Sequence, residues 1–258
     1  MTRELEVAIA AARAAGEVVL NAFGQQQEIE YKGEVDLVTE ADERAERAIM
    51  GVLQEAFPSY GVLTEESGEL EGEAEARWIV DPLDGTTNYV HGVPFFSVSI
   101  ALERDDEVVL GVVHDPMNEE TYAAERGEGA TLNGQIIRVS DTDELIKAVL
   151  TTGFSTEHED ISTDLALFGK FIRRTRGVTQ LGSAALEACY VAAGRLDGYY
   201  RRGLSVWDVA AGSLIIEAAG GKVTDYQGDK LSLQGTEIVA SNGFLHPSLV
   251  HGISSDGG

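Results

Sequence analysis

Apolar residues at Leu5, Ala8, Ile9, Ala12, Ala15, Val19, Ala22 and Phe23 recur at the spacing of one helix face, and the pattern predicts a first helix that stops at Gly24. Ala41, Ala45, Ile49, Val52 and Leu53 repeat the period from about residue 40 to residue 57, with Thr39 placed to cap the start and Pro58 just past the end. The period then changes. Residues 60–64, 78–80, 96–102 and 108–113 are short apolar or alternating runs that predict strands, and turns are expected around Gly127 and Gly129 and at Asn133-Gly134. Residues 149–152, 198–200 and 238–240 predict further strands. Residues 163–172, 183–193 and 207–219 predict helices, the last ended by Gly220-Gly221. Strands and helices come in blocks rather than in strict alternation, which favours a layered α+β fold over a doubly wound sheet.

The 258 residues suffice for one large domain or two closely joined halves, and 43% hydrophobic content is ordinary for a chain that buries a core. No internal repeat or long linker interrupts the pattern. No apolar run reaches the roughly 18 residues of a membrane span. Glu4, Glu6 and Arg13 break a signal-peptide reading of the N-terminus, and the lone Cys189 has no internal disulfide partner, so the expected location is cytoplasmic. Cys189 itself reads as a small buried apolar residue. The formal net charge of −25 argues against nucleic acid and anionic membranes as partners. Only five residues are lysine, and this acidic, lysine-poor composition suits a protein from a salt-rich setting.

The chemistry concentrates in acidic motifs. An apolar run leads into Asp81-Pro82-Leu83-Asp84-Gly85-Thr86-Thr87-Asn88, where the strand is expected to end at Asp81 and Pro82 to force a turn. Two carboxylates beside one turn repel unless a cation sits between them, and Mg²⁺ prefers carboxylate and carbonyl oxygens. The Leu83 carbonyl lies between the two aspartates. Alone, such a turn reads equally well as a polar strand end with Asp84 capping a helix. Leu63-Thr64-Glu65-Glu66 follows another apolar run, and Ser205-Val206-Trp207-Asp208 opens an apolar helix, where Asp208 also suits the helix dipole. Thr39 and Asp42, within Val35-Asp36-Leu37-Val38-Thr39-Glu40-Ala41-Asp42, have capping-box spacing.

Together these motifs closely resemble the inositol monophosphatase family. The resemblance rests on Glu65-Glu66, on the segment from Asp81 to Asn88, and on Trp207-Asp208-Val209-Ala210-Ala211-Gly212. It extends through Phe95-Phe96-Ser97, Gly111-Val112-Val113-His114-Asp115-Pro116, Gly127-Glu128-Gly129-Ala130 and Gly182-Ser183-Ala184. It implies an α/β/α/β/α sandwich in two halves: about 1–140, with most metal ligands, and about 141–258, supplying Asp208 and the substrate pocket. It implies two Mg²⁺ ions, with a third weaker one near Glu65. One would be held by Glu65, Asp81 and the Leu83 carbonyl, the other by Asp81, Asp84 and Asp208. Asp42 and Thr86 match the family pair that activates water. Gly85, Thr86 and Thr87 would hold the phosphate, and Gly182, Ser183 and Ala184 would line the alcohol side.

The resemblance further implies a homodimer acting on a small phosphorylated polyol or sugar. Arg201 stands where many family members carry a hydroxyl-binding glutamate, and an arginine there suits a second phosphate or a carboxylate. The candidate substrates are therefore inositol monophosphate and fructose 1,6-bisphosphate, with histidinol phosphate or an adenosine bisphosphate as alternatives. A catalytically silent homologue would have lost one of these carboxylates or the Asp42–Thr86 pair, and all are present.

The charge excess yields a first prediction. Like charges oppose compaction, and salt screens them. The Tm should be higher in molar KCl than in dilute buffer; a Tm that is flat or falls with salt overturns the salt-adapted reading.

Overall fold

The first helical period folds as α1 (Arg3–Ala22), which buries Leu5, Ala8, Ala11, Ala12, Ala15, Gly16, Val19 and Ala22 along one face. Thr2 caps it, its hydroxyl accepting from the Leu5 N–H at 3.3 Å. The computed structural model describes residues 1–25, 29–31, 37–154, 161–235 and 237–254, with backbone alone for 29–31 and 37–39. Asp36 and the capping side chain expected of Thr39 lie outside the described part. Two short strands, β1 (Ile29–Tyr31) and β2 (Leu37–Thr39), pair antiparallel and lead into α2 (Glu40–Ala56). The buried face of α2 carries Ala41, Ala45, Ile49 and Leu53 together with two carboxylates, Asp42 and Glu46.

An eight-stranded sheet follows. Its strands are β3 (Gly61–Thr64), β4 (Gly68–Leu70), β5 (Ala76–Asp84), β6 (Ser97–Arg104), β7 (Glu107–Asp115), β8 (Glu120–Glu125), β9 (Ala130–Leu132) and β10 (Gln135–Ile136), with the short helix α3 (Thr86–Val90) between β5 and β6. The spatial order is β10-β9-β8-β7-β6-β5-β3-β4, and β3 with β5 is the one parallel pair among these. A second, mixed sheet orders β12-β11-β13-β15-β14. In chain order its part of the fold runs β11 (Val149–Thr152), α4 (Ile161–Ile172), β12 (Gly177–Thr179), α5 (Ala184–Ala192), β13 (Gly198–Arg202), α6 (Val206–Ala218), β14 (Lys222–Thr224), β15 (Glu237–Ser241) and α7 (His246–Ser254).

The layers stack as α1 and α2, the large sheet, α5 and α6, the small sheet, then α4 and α7. This is an α+β sandwich. Each interface is apolar. Ile49, Leu53, Trp78 and Ile100 pack under the first helix layer, and Tyr122, Val113, Ile215 and Tyr199 pack around the central helices. Leu150, Phe171, Tyr200 and Leu249 pack beneath the last layer. The central helix α6 lies directly on β7 because Gly111 has no side chain; a Cβ there would stand 2.7 Å from the Ala211 carbonyl. Among the described residues, no helix is long and apolar enough to cross a membrane.

The first helix ends at Ala22, with Phe23 as its C-cap and Gly24 next at a left-handed φ of 76°, so the expected stop at Gly24 holds. Two strands run longer than the sequence reading. β5 does not stop at Asp81: it runs to Asp84 through a bulge, with Asp81 opposite Ser99 and Asp84 opposite Ser97. Pro82 has no N–H to give to the ladder, and the Leu83 N–H turns back to Asp81 Oδ1 at 3.0 Å, so one extra residue is accommodated. β13 continues two residues past Tyr200, which puts Arg201 on a strand. Helix α7 and strand β8 had no clear periodic signal, since Glu120–Glu125 centres on alanines and α7 is short and contains Gly252.

His246 at the head of α7 is buried between Ser241, 3.1 Å from Nδ1, and Thr224, 2.9 Å from Nε2. Burial, with the nearby Lys222 charge, lowers its pKa to about 4. The folded value lies below the unfolded one, so the stabilisation is present above about pH 6.5 and lost as pH falls through 4, amounting to about 3 kcal/mol. His246→Gln should lose less stability than wild type between pH 6.5 and pH 4 in denaturation midpoints; parallel curves overturn this.

Candidate functional site

The β5 bulge turns Asp81 and Asp84 toward the same point, and the first turn of α6 brings Asp208 to it from the other sheet's half of the chain. Ligand-capable oxygens of these three side chains all lie within 4.8 Å of one another. Asp81 and Asp84 are buried and Asp208 is partly so. Burial raises the Asp81 pKa well above the usual carboxylate range, reinforced by the charges of Glu65, Asp84 and Asp208. Such a cluster of hard oxygen donors suits a divalent cation of the Mg²⁺ kind, and the mutual repulsion is what a cation would relieve.

Asp84 does a second job. Its Oδ1 accepts from the Ala184 N–H at 3.0 Å and its Oδ2 from the Ala185 N–H at 2.8 Å and from the Ser183 hydroxyl. The carboxylate therefore caps α5, a helix one hundred residues away, where the dipole and the free N–H groups favour a negative charge. Burial still pushes the Asp84 pKa up, against these hydrogen bonds and the Arg201 charge. Asp208 also serves locally: its Oδ2 accepts from the Ser205 N–H at 2.7 Å, closing the start of α6. For both aspartates, helix-capping and membership of the cluster coexist.

Glu65 begins the loop after β3, its N–H bonded to the Val80 carbonyl at 3.2 Å, and its charge reaches Asp81 although it stands outside the tight triad. The loop is fixed by Glu46, which accepts from both the hydroxyl and the N–H of Ser67. The sequence reading had no role for Glu46; its signal is a carboxylate placed on the apolar stripe of α2. Thr86 opens α3, and its Oγ1 lies 3.0 Å from the Leu83 carbonyl and 3.2 Å from Asp42 Oδ1. Asp42, from α2, is thus brought to the edge of the cluster.

The loop before α5 closes against the same turn. Gly85 has a φ of 99°, and a Cβ there would stand 3.1 Å from the Gly182 carbonyl. Asn88 Nδ2 donates to the Leu181 carbonyl at 2.7 Å and to the Phe95 carbonyl at 2.8 Å, locking the two loops together. Gly85, Thr86, Gly182, Ser183 and Ala184 are therefore neighbours, and Thr87 is the exposed member of the set. Arg201 lies within electrostatic reach of Asp208, Glu187 and Asp84. Arg202, on the opposite face of β13, pairs with Asp164 on α4 at 3.1 Å. Cys189 is buried in the core, which pushes its thiol pKa well up.

The profile of the inositol monophosphatase family matches residues 1–256. An inositol-1-monophosphatase from Mesorhizobium japonicum is 43% identical over 256 residues, 96% of this chain and 95% of that protein. A protein named Nus factor SuhB, from Pasteurella multocida, is 42% identical over 245 residues, 93% of this chain and 92% of its own. Among solved structures, the extragenic suppressor protein suhB from Bartonella henselae superimposes with a TM-score of 0.96 at 39% identity, covering 98% of this chain and 99% of that one. A Thermotoga maritima IMPase gives 0.92 at 37% identity, covering 98% of each chain.

A cation bound only by the folded cluster should raise stability by about 2.7 kcal/mol at a hundred times its Kd. In thermal melts, Mg²⁺ should raise the Tm and a chelator should reverse the gain. Asp81→Asn removes one repelling charge, so the metal-free variant should melt no lower than wild type while losing most of the Mg²⁺ response. Asp42→Asn should keep that response. A full Mg²⁺ shift in Asp81→Asn would show that the cation binds elsewhere.

Proposed function

The chain belongs to the inositol monophosphatase family, whose members are phosphoric monoester hydrolases, and on that premise we propose that it hydrolyses a small polyol or sugar phosphate with the help of Mg²⁺ held at the carboxylate cluster. The observation that carries the reading is the convergence of Asp81, Asp84 and Asp208 within 4.8 Å, next to the Asp42–Thr86 pair. Asp81, Asp84 and Asp208 would hold the cations, with Glu65 and the Leu83 carbonyl completing the set. Bound there, Mg²⁺ supplies charge neutralisation for the phosphate and Lewis-acid stabilisation of the leaving oxygen.

The protein's own groups do the rest. Thr86 carries one hydroxyl proton and has two acceptors in reach. When it donates to buried Asp42, its oxygen lone pair can accept from a water, orienting that water and passing its proton toward the Asp42 carboxylate. Water is thus the nucleophile, and Cys189 stays out of the reaction. The N–H groups of the Gly85–Thr87 turn would receive the phosphate, and Gly182, Ser183 and Ala184 would border the alcohol side. Arg201 favours an alcohol portion with a second anionic group, as in fructose 1,6-bisphosphate, over a neutral ring such as inositol. A homodimer and a cytoplasmic location complete the reading.

The test is a comparison of initial rates on inositol 1-phosphate and fructose 1,6-bisphosphate at high salt, with Mg²⁺ and with a chelator. Activity should vanish with the chelator. Losing a charge-assisted contact costs about 1.5–3 kcal/mol, so Arg201→Glu should lower the kcat/KM ratio of bisphosphate to monophosphate about tenfold to a hundredfold. Chelator-resistant hydrolysis overturns the metal mechanism, and an unchanged ratio overturns the assignment of Arg201.

A further inference from the structure

Arg201 sits in a built recess. Its stem lies over Gly153 at the end of β11, so close that a Cβ on Gly153 would stand 2.6 Å from Arg201 Nε and 2.7 Å from its Cδ. Nε is shut from solvent and has no hydrogen-bond partner. Among the described residues, the guanidinium forms no ion pair. Two more buried polar atoms without partners belong to its electrostatic neighbours: Glu187 Oε2, on a residue 0% exposed, and the Tyr199 hydroxyl, on a residue 1% exposed. Tyr199 and Arg201 share one face of β13 by their i, i+2 spacing, and Thr151 on the neighbouring strand is the register partner of Tyr199.

Glu187 is the one charged residue in α5. Its Oε1 is anchored on both sides, accepting from the Thr151 hydroxyl at 2.7 Å and from the Leu181 N–H at 2.7 Å. Burial alone would favour replacing it with an apolar residue, as at the surrounding positions of α5. What its location does provide is a carboxylate within electrostatic reach of the arginine; burial raises its pKa to about 7, against the Thr151 and Leu181 hydrogen bonds and the Arg201 charge, so it is negative above that pH. Burial works against the Arg201 charge, yet the fields of Tyr199, Asp208, Glu187 and Asp84 outweigh it and hold the pKa above its ordinary value. Because Glu187 acts without a hydrogen bond to the guanidinium, it draws the arginine inward and leaves the donors of that group for another partner.

We propose that Glu187 is a positioning residue for Arg201: anchored by Thr151 and Leu181, it seats the guanidinium over Gly153, and the seat sets the preference for substrates with a second anionic group. This rests on the reading of Arg201 as a substrate contact. Gly153 belongs to the same device, since only a residue without a side chain leaves room for the arginine stem.

The test uses the full chain with Mg²⁺ at about pH 8.5, above the Glu187 pKa of about 7, and the same two esters, inositol 1-phosphate and fructose 1,6-bisphosphate. Glu187→Gln, which keeps shape and removes charge, should raise KM for the bisphosphate about threefold to tenfold with little change in kcat, and more than it raises KM for the monophosphate. Gly153→Ala, which crowds the seat from below, should shift the ratio in the same direction. In the Arg201→Met background, neither change should shift the ratio further, a coupling that a merely structural role would not produce. Equal effects on both esters, or additive effects in the Arg201→Met background, overturn the positioning role. If Arg201→Met itself leaves the ratio unchanged, the underlying assignment of Arg201 fails instead. If Glu187→Gln melts too low to assay, Gly153→Ala and its Arg201→Met double variant decide the matter alone.

Discussion

Three aspartates hold their oxygens within 4.8 Å of one another, and like charges at that spacing resist being brought together, the more so away from water. The rest of the fold can be read as what makes this arrangement tolerable. Asp84 is paired with the N–H groups that open α5, and Asp208 with the N–H that opens α6. Each carboxylate therefore gains local stabilisation from a helix terminus that needed an acceptor in any case. Among the described residues Asp81 has only the Leu83 N–H in this way, and burial pushes it toward its neutral form more strongly than Asp84.

The same hydrogen bonds join the large sheet to the central helices. Asp84 ends a strand of the large sheet, yet its carboxylate caps a helix of the central layer. Asn88, four residues later, ties its loop to Leu181. A Cβ on Gly85 would stand 3.1 Å from the Gly182 carbonyl, and one on Gly182 would stand 2.7 Å from Asn88 Nδ2, so both loops need glycine to close. Site and core thus depend on one set of contacts, so the positions that would serve chemistry also align the layers. A substitution that loosens the central helices would be felt at the carboxylates, and the reverse holds too.

The surroundings of Arg201 follow a different logic. There the polar atoms are not satisfied: Arg201 Nε, Glu187 Oε2 and the Tyr199 hydroxyl are buried without partners. Unpaired buried donors and acceptors cost stability, commonly about 1–3 kcal/mol each. Keeping several of them within electrostatic reach of one another does nothing to stabilise the fold. These surroundings also differ from the carboxylate cluster in carrying a cation of their own, in a chain whose net charge is −25.

The sequence by itself determined the helix and strand content over most of the chain, because apolar periodicity is a local property. Residues 40–57 and 207–219 were legible from spacing alone. The acidic motifs were legible as well, since Asp81, Asp84, Asp208, Glu65 and Asp42 each stand out against apolar or turn-forming neighbours. Tertiary structure alone decided where those carboxylates point. Asp81 was read as a strand end, but the ladder continues through a bulge, because pairing with β6 outweighs the missing N–H of Pro82. Asp84 was read as a metal ligand or, in the turn taken alone, as a helix cap; it caps a helix a hundred residues away. Glu46 and Glu187 show in the sequence only as carboxylates among apolar helix positions, and Gly153 shows no signal. Their roles arise from what other segments place against them: the Ser67 loop, the Thr151 hydroxyl and the stem of Arg201. Local periodicity fixes which elements form; contacts between distant segments fix which side chains meet.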